Sequence, residues 1–287
     1  MATVVYATPA PYLACEVFTD APCPRVGITI DQLGTTPAVV NVWRTADGKR
    51  QAVRGARNRS VVDSDYIVDY EAPLGRVLSY DVEILSGPFL AFPIPTATVT
   101  VLSSTWWIQD PLVPSSAIPL NVSKQDSTAP YLTGNAIKSL DYGASVTLIP
   151  ILGSPDPVAL MGNRTSAGNV SFDMFTNLAT VTTQLRNLIM QTPLLLIRST
   201  GTRNNGIPGL AYFTSAKPSE KPVTVAFGGT LTNWSLTGDL VAAPTMNVLV
   251  PIWTYGNVAA LWTTYQQAQT TLAGKTYLDV LKSPSGV

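Results

Sequence analysis

The sequence predicts a mainly β protein built from two β units, on three observations. Short runs alternate apolar and polar residues and are rich in Val and Thr, the pattern of strands buried on one face. The 23 prolines and 20 glycines punctuate these runs where turns belong. One segment departs from this rhythm: Leu178, Val181, Leu185, Leu188 and Ile189 recur at helical spacing between Asn177 and Gln191. A chain of 287 residues has room for two such units, at roughly 100 to 200 residues per domain.

Along the chain, residues 1–24 are broken by prolines and read as an N-terminal extended arm. A β-sandwich is expected over 25–103, with strands at 27–33, 38–45, 51–53, 65–70, 78–85 and 96–102. Trp43 falls in the second of these, where a sandwich core commonly takes a large aromatic. Residues 104–130 open on Trp106 and Trp107, continue with Pro111 and Pro114, and read as an extended linker. A second β unit is expected over 131–245, with strands at 144–150, 158–161, 168–175, 194–198, 210–216, 222–227 and 231–240. The helical stripe is inserted in it, with Asn177 as the expected N-cap and Pro193 as its stop.

The last segment, 246–287, reads as a clasp of short helices. Three pieces open on threonine and an aromatic: Trp253, Thr254 and Tyr255; Trp262, Thr263, Thr264 and Tyr265; then Thr276 and Tyr277. Threonine caps a helix because its side-chain oxygen accepts a free N–H of the first turn. Thr276 with Asp279 resembles a capping box. Each piece is too short to be a stable helix in water, so each requires a surface to lie against.

Composition narrows the function classes. Only 13% of residues are charged, against about 25% in an ordinary soluble domain. Lys plus Arg equals Asp plus Glu at 18 each, so the formal net charge is zero. A free monomer of this kind is poorly protected against association, whereas a subunit covered by neighbours is not. The balance argues against a specific nucleic-acid partner, which would call for a basic excess. With 46% hydrophobic residues the chain can fill real cores, yet no run approaches the roughly 20 apolar residues of a membrane span. The start of the chain has no basic region and no long apolar core, so it is not expected to be a signal peptide.

The chain has no histidine, which removes Ser-His-Asp and Cys-His nucleophile pairs and every histidine-containing metal site. No phosphate-binding loop, nucleophile elbow or dinucleotide fingerprint is present. Asp110, Asp141, Asp156, Asp173 and Glu220 are available for two-carboxylate glycoside hydrolysis, but nothing singles out a pair. No catalytic residue, cofactor or metal is therefore expected. Cys15 and Cys23 read as reduced thiols, with a disulfide as the alternative under oxidising conditions.

Interface residues are the remaining candidates. Lys49, Arg50, Arg54, Arg57 and Arg59 put five cations into eleven residues. They form a solvated hairpin tip, an intersubunit salt-bridge strip that sets register, or a site for an anionic envelope polymer. Adjacent side chains of a strand point to opposite faces, so one of Trp106 and Trp107 is expected to pack inward while the other meets a partner. Stacking on sugar rings is the alternative. Trp253, Tyr255, Trp262, Tyr265 and Tyr277 are expected to anchor the tail on a neighbouring subunit or on the preceding domain.

Two resemblances extend this reading. The stretch Asp69, Tyr70, Glu71, Ala72, Pro73, Leu74 and Gly75, followed by Ser79, Tyr80, Asp81 and Val82, resembles the E–F region of fibronectin type III domains. Leu74 and Tyr80 then correspond to a tyrosine corner, which implies a Tyr80 hydroxyl bonded back to nearby backbone. The second unit and tail are similar to minor tail proteins of long-tailed (siphovirus-type) phages that infect actinobacteria. The residues that carry this are Gly168 to Phe172 before a helix that ends in Pro193 to Arg198, then Ala211, Tyr212 and Phe213 after a loop. Trp234 to Gly238, Val241 to Pro244, the Trp-Thr-Tyr pieces and a connector formed by Trp107, Asp110 and Pro111 complete the series.

The helix-in-barrel pattern resembles the split barrel of phage distal tail proteins, although in those the barrel comes first and here it follows a sandwich. The implied fold is a fibronectin type III-like β-sandwich, a split-barrel or sandwich domain with one inserted helix, and a C-terminal tail of short helices. The implied function is structural: a homo-oligomeric ring at the tail tip, hexameric by analogy or else trimeric. It would join the tail tube, the tape-measure protein and other tail-tip proteins to the host-adhesion apparatus in the virion tail, after synthesis in the host cytoplasm. A receptor- or glycan-binding tail module and a cell-wall hydrolase component are the alternatives.

Overall fold

The computed structural model describes residues 3–5, 11–90, 94, 96–122, 128–137, 140–153, 155–164, 168–200, 208–215, 217–223, 228–245, 259 and 261–275. The chain is mainly β, and every named strand pair is antiparallel. Strands β1 (Thr3–Val5), β2 (Tyr12–Phe18), β3 (Arg25–Asp31) and β7 (Asp65–Asp69) form one sheet in the order β1-β2-β3-β7. Strands β4 (Ala38–Ala46), β5 (Lys49–Ala52), β8 (Val77–Ser86) and β9 (Ala97–Thr100) form another in the order β5-β4-β8-β9, and β6 (Arg59–Val61) also pairs with β4. Leu13, Ile28 and Ile30 of the first sheet share one core with Val40, Val42, Leu78 and Val99 of the second, which makes a β-sandwich.

The expected extended arm over 1–24 is corrected here: its residues supply β1 and β2. Leu13 and Cys15 alternate inward, and β2 pairs with β3 from Tyr12 opposite Asp31 to Phe18 opposite Arg25. Pro11, Pro22 and Pro24 lie outside the paired stretch, so they break no ladder bond. Trp43 also departs from expectation. The inward register of β4 is taken by Val40, Val42 and Arg44, which leaves Trp43 half-buried on the other face. There its indole Nε1 donates to Glu83 at 2.8 Å, and the Arg50 guanidinium lies 4.4 Å above its ring.

The second unit contains β10 (Trp106–Asp110), β11 (Val113–Leu120), β12 (Tyr131–Ile137), β13 (Ala144–Ile149), β14 (Val158–Arg164), β15 (Val170–Thr176), β16 (Leu194–Arg198), β17 (Leu210–Ser215), β18 (Ser219–Pro222) and β19 (Thr232–Val241). Eight of these make one sheet in the order β11-β10-β16-β17-β19-β15-β12, with β18 also on β19. Its two ends meet where the Asn121 N–H donates to the Pro130 carbonyl at 2.9 Å and the Leu132 N–H to the Asn121 carbonyl at 2.8 Å. The linker expected over 104–130 therefore supplies two strands of this sheet. Trp106 and Ile108 alternate into its core, and Pro114 and Pro119 are tolerated because β11 is an end strand.

Helix α1 (Ala179–Gln191) lays Leu185, Leu188 and Ile189 on that core beside Phe172, Phe213 and Trp234. Leu178 occupies the N-cap position and makes no side-chain cap, so the assignment of Asn177 is corrected by one residue. Asn177 instead accepts the Thr230 hydroxyl at 2.9 Å through its carbonyl. The helix ends at Thr192, before Pro193. Within the sheet, Gly238 is imposed by close approach, because a Cβ there would lie 1.4 Å from the Thr214 carbonyl oxygen. The strand expected at 222–227 begins earlier, with Ser219 opposite Ser235, and residues 224–227 lie outside the described ones.

Strands β13 and β14 pair only with each other and stand apart as a two-stranded ribbon. In the tail, α2 (Tyr265–Thr271) starts on a capping box: the Gln267 N–H donates to Thr264 Oγ1, and the Gln267 side chain accepts from the Thr264 N–H, each at 3.3 Å. This helix buries none of its residues. Thr276 and Asp279, the other expected capping pair, lie outside the described residues. No helix among the described residues is long and apolar enough to cross a membrane.

Candidate functional site

An arginine at an inward strand position needs a counter-charge or well-placed hydrogen-bond acceptors, because an unpaired buried ion is far too costly. Arg44 in β4 and Arg198 at the end of β16 are both almost fully buried. The turn that follows β7 answers both. Asp69 accepts two hydrogen bonds from Arg44 Nη1, at 2.9 and 2.7 Å, and a third from the Tyr80 hydroxyl at 2.8 Å. Its Oδ1 also takes the Glu71 N–H at 2.9 Å. Tyr80 thus bonds to a carboxylate, where the resemblance implied backbone. Burial disfavours the charged Arg44 guanidinium, but the Asp69 carboxylate together with Tyr80 and Tyr212 outweighs it and raises the Arg44 pKa. Burial and the same carboxylate hold the Tyr80 hydroxyl well above its ordinary pKa.

From this turn the contacts cross to the second unit. Glu71 accepts from Arg54 Nε at 2.6 Å and from the Tyr212 hydroxyl of β17 at 2.7 Å. Arg198 donates from Nε and Nη2 to the Ala72 carbonyl, at 3.0 and 2.7 Å, and from Nη2 to the Pro24 carbonyl at 2.7 Å. Arg54 Nη1 reaches the Pro244 carbonyl at 3.0 Å. Leu74 bridges to Val101 and to Thr200, and the Trp107 ring packs against the sandwich core. The segment from Asp69 to Leu74 therefore staples the two β units together through desolvated polar contacts. Burial lowers the Arg198 pKa from its ordinary value, opposed by nearby Cys23 and Asp69.

The expected interface residues fall into three groups. Trp106 sits in the second core, and Trp107 meets the sandwich of its own chain, with Nε1 donating to Ser103 Oγ at 3.2 Å. The expected partner contact of that pair is intramolecular. Arg54 and Arg59 are also engaged internally, Arg59 Nη2 donating to Asp65 at 2.9 Å. Arg57 is exposed and has no ion pair among the described residues. In the tail, Tyr265 is exposed and Trp262 half-buried. Trp253, Tyr255 and Tyr277 lie outside the described residues.

A cleft of about 250 Å³ lies between the units, lined by Trp43, Arg44, Arg50, Arg54, Arg57, Glu71, Tyr212 and Pro244. Three of its four guanidinium groups already have carboxylate partners: Asp69, Asp81 and Glu71. Four of the five carboxylates weighed for hydrolysis are engaged elsewhere. Asp110 accepts the Leu112 N–H, Asp141 the Asn169 amide, and Asp173 the Ser235 hydroxyl, while Glu220 pairs with Arg186. Cys15 and Cys23 are free and buried. No cluster of three or more His, Cys, Asp or Glu side chains placed to hold a metal occurs among the described residues.

Asp69, Glu71, Arg198 and Tyr212 are not recognisable as a unit in the sequence. One usable signal was an arginine in the apolar register of a strand, in line with Val40 and Val42. Arg198→Met is expected to lower stability by about 2 kcal/mol. Two buried carbonyls, Ala72 and Pro24, lose their guanidinium donor, while relief of a buried charge offsets part of that cost. Urea unfolding checks this; an unchanged midpoint would mean that the staple contributes nothing.

Neither the models of known protein families nor the sequences of curated proteins match the chain.

Proposed function

We propose that the protein is a non-enzymatic structural component of a phage virion, a minor tail protein whose homo-oligomeric ring at the tail tip joins tail tube to adhesion apparatus. The observation that carries this reading is a contrast within the fold. The cations that could have faced a charged ligand are largely neutralised internally, while a largely apolar ribbon, β13 and β14, stands open to solvent. Such a surface suits permanent burial against other subunits.

The finer fold supports the same reading. The order β2-β3-β7 facing β5-β4-β8-β9 is the arrangement expected of a fibronectin type III-like sandwich. A sheet whose ends meet around a core that includes α1 is what a distal-tail-like split barrel requires. On this reading the barrels close the ring, the sandwiches project from it, and the staple from Asp69 to Leu74 keeps each subunit rigid under load. The tail helices are the clasp: α2 is capped yet buries nothing within its own chain.

Light scattering across protein concentration tests the proposal. The expected mass is six or three times the 30.6 kDa of one chain, with rings visible by electron microscopy. A strictly monomeric species at the highest soluble concentration, both alone and with tail-tube protein, would sink the reading. So would turnover of purified peptidoglycan that one Asp or Glu substitution abolishes. Deleting residues 253–281 is expected to leave unfolding of both β units unchanged within about 0.5 kcal/mol and to weaken assembly. If the deletion unfolds the second unit, the tail belongs to its core and the clasp idea is wrong.

A further inference from the structure

A two-stranded hairpin standing alone in water is marginally stable at best, because neither face has a core to lie on. The ribbon of β13 and β14 is in that position. Its register puts Val146 opposite Met161 and Leu148 opposite Ala159 on one face, with Thr147 opposite Leu160 and Ile149 opposite Val158 on the other. Both faces are apolar and both are exposed: Leu148 at 61%, Leu160 at 57%, Met161 at 77%, and Leu152 at the turn fully. At about 150–200 Å² per large residue, the ribbon offers on the order of 800–900 Å² of apolar surface in all, shared between its two faces and the turn. A groove that closes over both faces would bury the ~800 Å² that each partner contributes to a standard interface.

The partner's chemistry follows from charge. Between Ala144 and Asn163 the only ionisable residue is Asp156, in the turn, and Arg164, the last residue of β14, bonds back to the Tyr142 carbonyl at 3.0 Å, so the body of the ribbon lacks the charges that usually blunt free edges. A charged partner surface would be desolvated with nothing to pair it. The chain itself carries a matching uncharged surface. A groove of about 600 Å³ on the sandwich is lined by Val17, Thr19, Val77, Thr98, Thr100 and Leu102, without an ionisable side chain. Val77 and Leu102 are 68% and 71% exposed there, and β9 ends its sheet.

We infer that the ribbon of one copy docks in the Val77–Leu102 groove of the next copy. Two different patches meet, so the contact is head to tail, and repetition of such a contact closes a ring when the rotation allows. The inference rests on the ring reading and supplies its subunit contact. Burial of uncharged surface drives it, so association is expected to be insensitive to sodium chloride and strengthened by sulfate.

The test uses the full chain with Leu148→Lys on the ribbon and Val77→Lys in the groove, both outside the two cores. Leu148→Thr and Val77→Thr, which keep β propensity, serve if a lysine variant fails to match the wild-type unfolding midpoint. Each variant alone is expected to lose at least tenfold in association. An equimolar mixture of the two is expected to form pairs and nothing larger, because one intact ribbon then meets one intact groove. Ribbon amides should also become protected from hydrogen exchange on assembly. A groove variant that assembles like wild type, or ribbon amides that exchange equally fast in assembled and single chains, would overturn this contact and leave the ring reading standing. A wild-type chain that never associates overturns both.

Discussion

Asp69→Ala is expected to lower stability by about 3–5 kcal/mol, the cost of breaking a buried ion pair by removing one partner. The side chains of Arg44 and Asp69 are 3% and 1% exposed, so the arginine left behind cannot recover the loss from water. Its remaining partner is the Gln51 side-chain amide oxygen Oε1 at 3.0 Å, which carries no charge. The Tyr80 hydroxyl and the Glu71 N–H lose their acceptor in the same step. Since ordinary domains are stable by about 5–15 kcal/mol, this single change uses up much of the margin.

A contrast isolates the cause. The Arg50–Asp81 pair in the same sheet is partly open to solvent, with 48% and 28% of its side chains exposed, and Arg50→Ala should cost less than about 1 kcal/mol. Adding Arg44→Met to Asp69→Ala should recover part of the loss, because the unpaired buried charge then goes with its partner. Urea midpoints of the four proteins measure this directly. If Asp69→Ala and Arg50→Ala cost the same, desolvation is not what makes the Asp69 turn important.

That turn was hard to read from sequence for a physical reason. Burial of a charge is decided by a partner that lies far along the chain: Tyr212 is 141 residues from Glu71, and Arg198 is 126 from Ala72. Arg54 and Arg59 look like exposed cations in sequence because Glu71 and Asp65 come near them only once the strands have paired. Local pattern was enough elsewhere. The strand at 194–198 was expected with the bounds it has, and α1 followed from its stripe and from Pro193. Proline misled in β2 and β11, where the ladder is spared because the prolines flank the pairing or sit in an end strand. Trp43 misled because size alone suggested burial, whereas the period-two register had already committed the inner face to Val40, Val42 and Arg44.

The same burial makes the protein sensitive to alkali. Burial, and then the nearby Asp69 carboxylate, pushes the Cys15 thiol from 9.0 up to about 12. Burial raises the Tyr70 hydroxyl from 10.0 to about 12, although Arg25 pulls the other way. Cys23, Tyr66, Tyr80 and Tyr212 are raised as well, burial leading in each and Glu71 adding to it at Tyr212. The sign is fixed by linkage. Above pH 9 the unfolded Cys15 thiol gives up its proton while the folded one keeps it until about 12, so the unfolded state binds fewer protons and is favoured. The contribution is complete below pH 9 and is lost as pH rises towards 12, at up to about 1.4 kcal/mol per pH unit for each such group. With several groups raised together, stability should fall steeply across that window and unfolding should follow before the pH reaches the folded-state values. Urea midpoints taken as the pH is raised measure the slope, and Cys15→Val should make it shallower by one group's share. Thiol reactivity and the tyrosinate absorbance of the buried Tyr66, Tyr70, Tyr80 and Tyr212 should appear together with unfolding, as one transition, because these protons are released only when the core opens. Titration of both thiols and of these four tyrosines in a chain that stays folded would mean that water reaches these groups and that burial does not govern them.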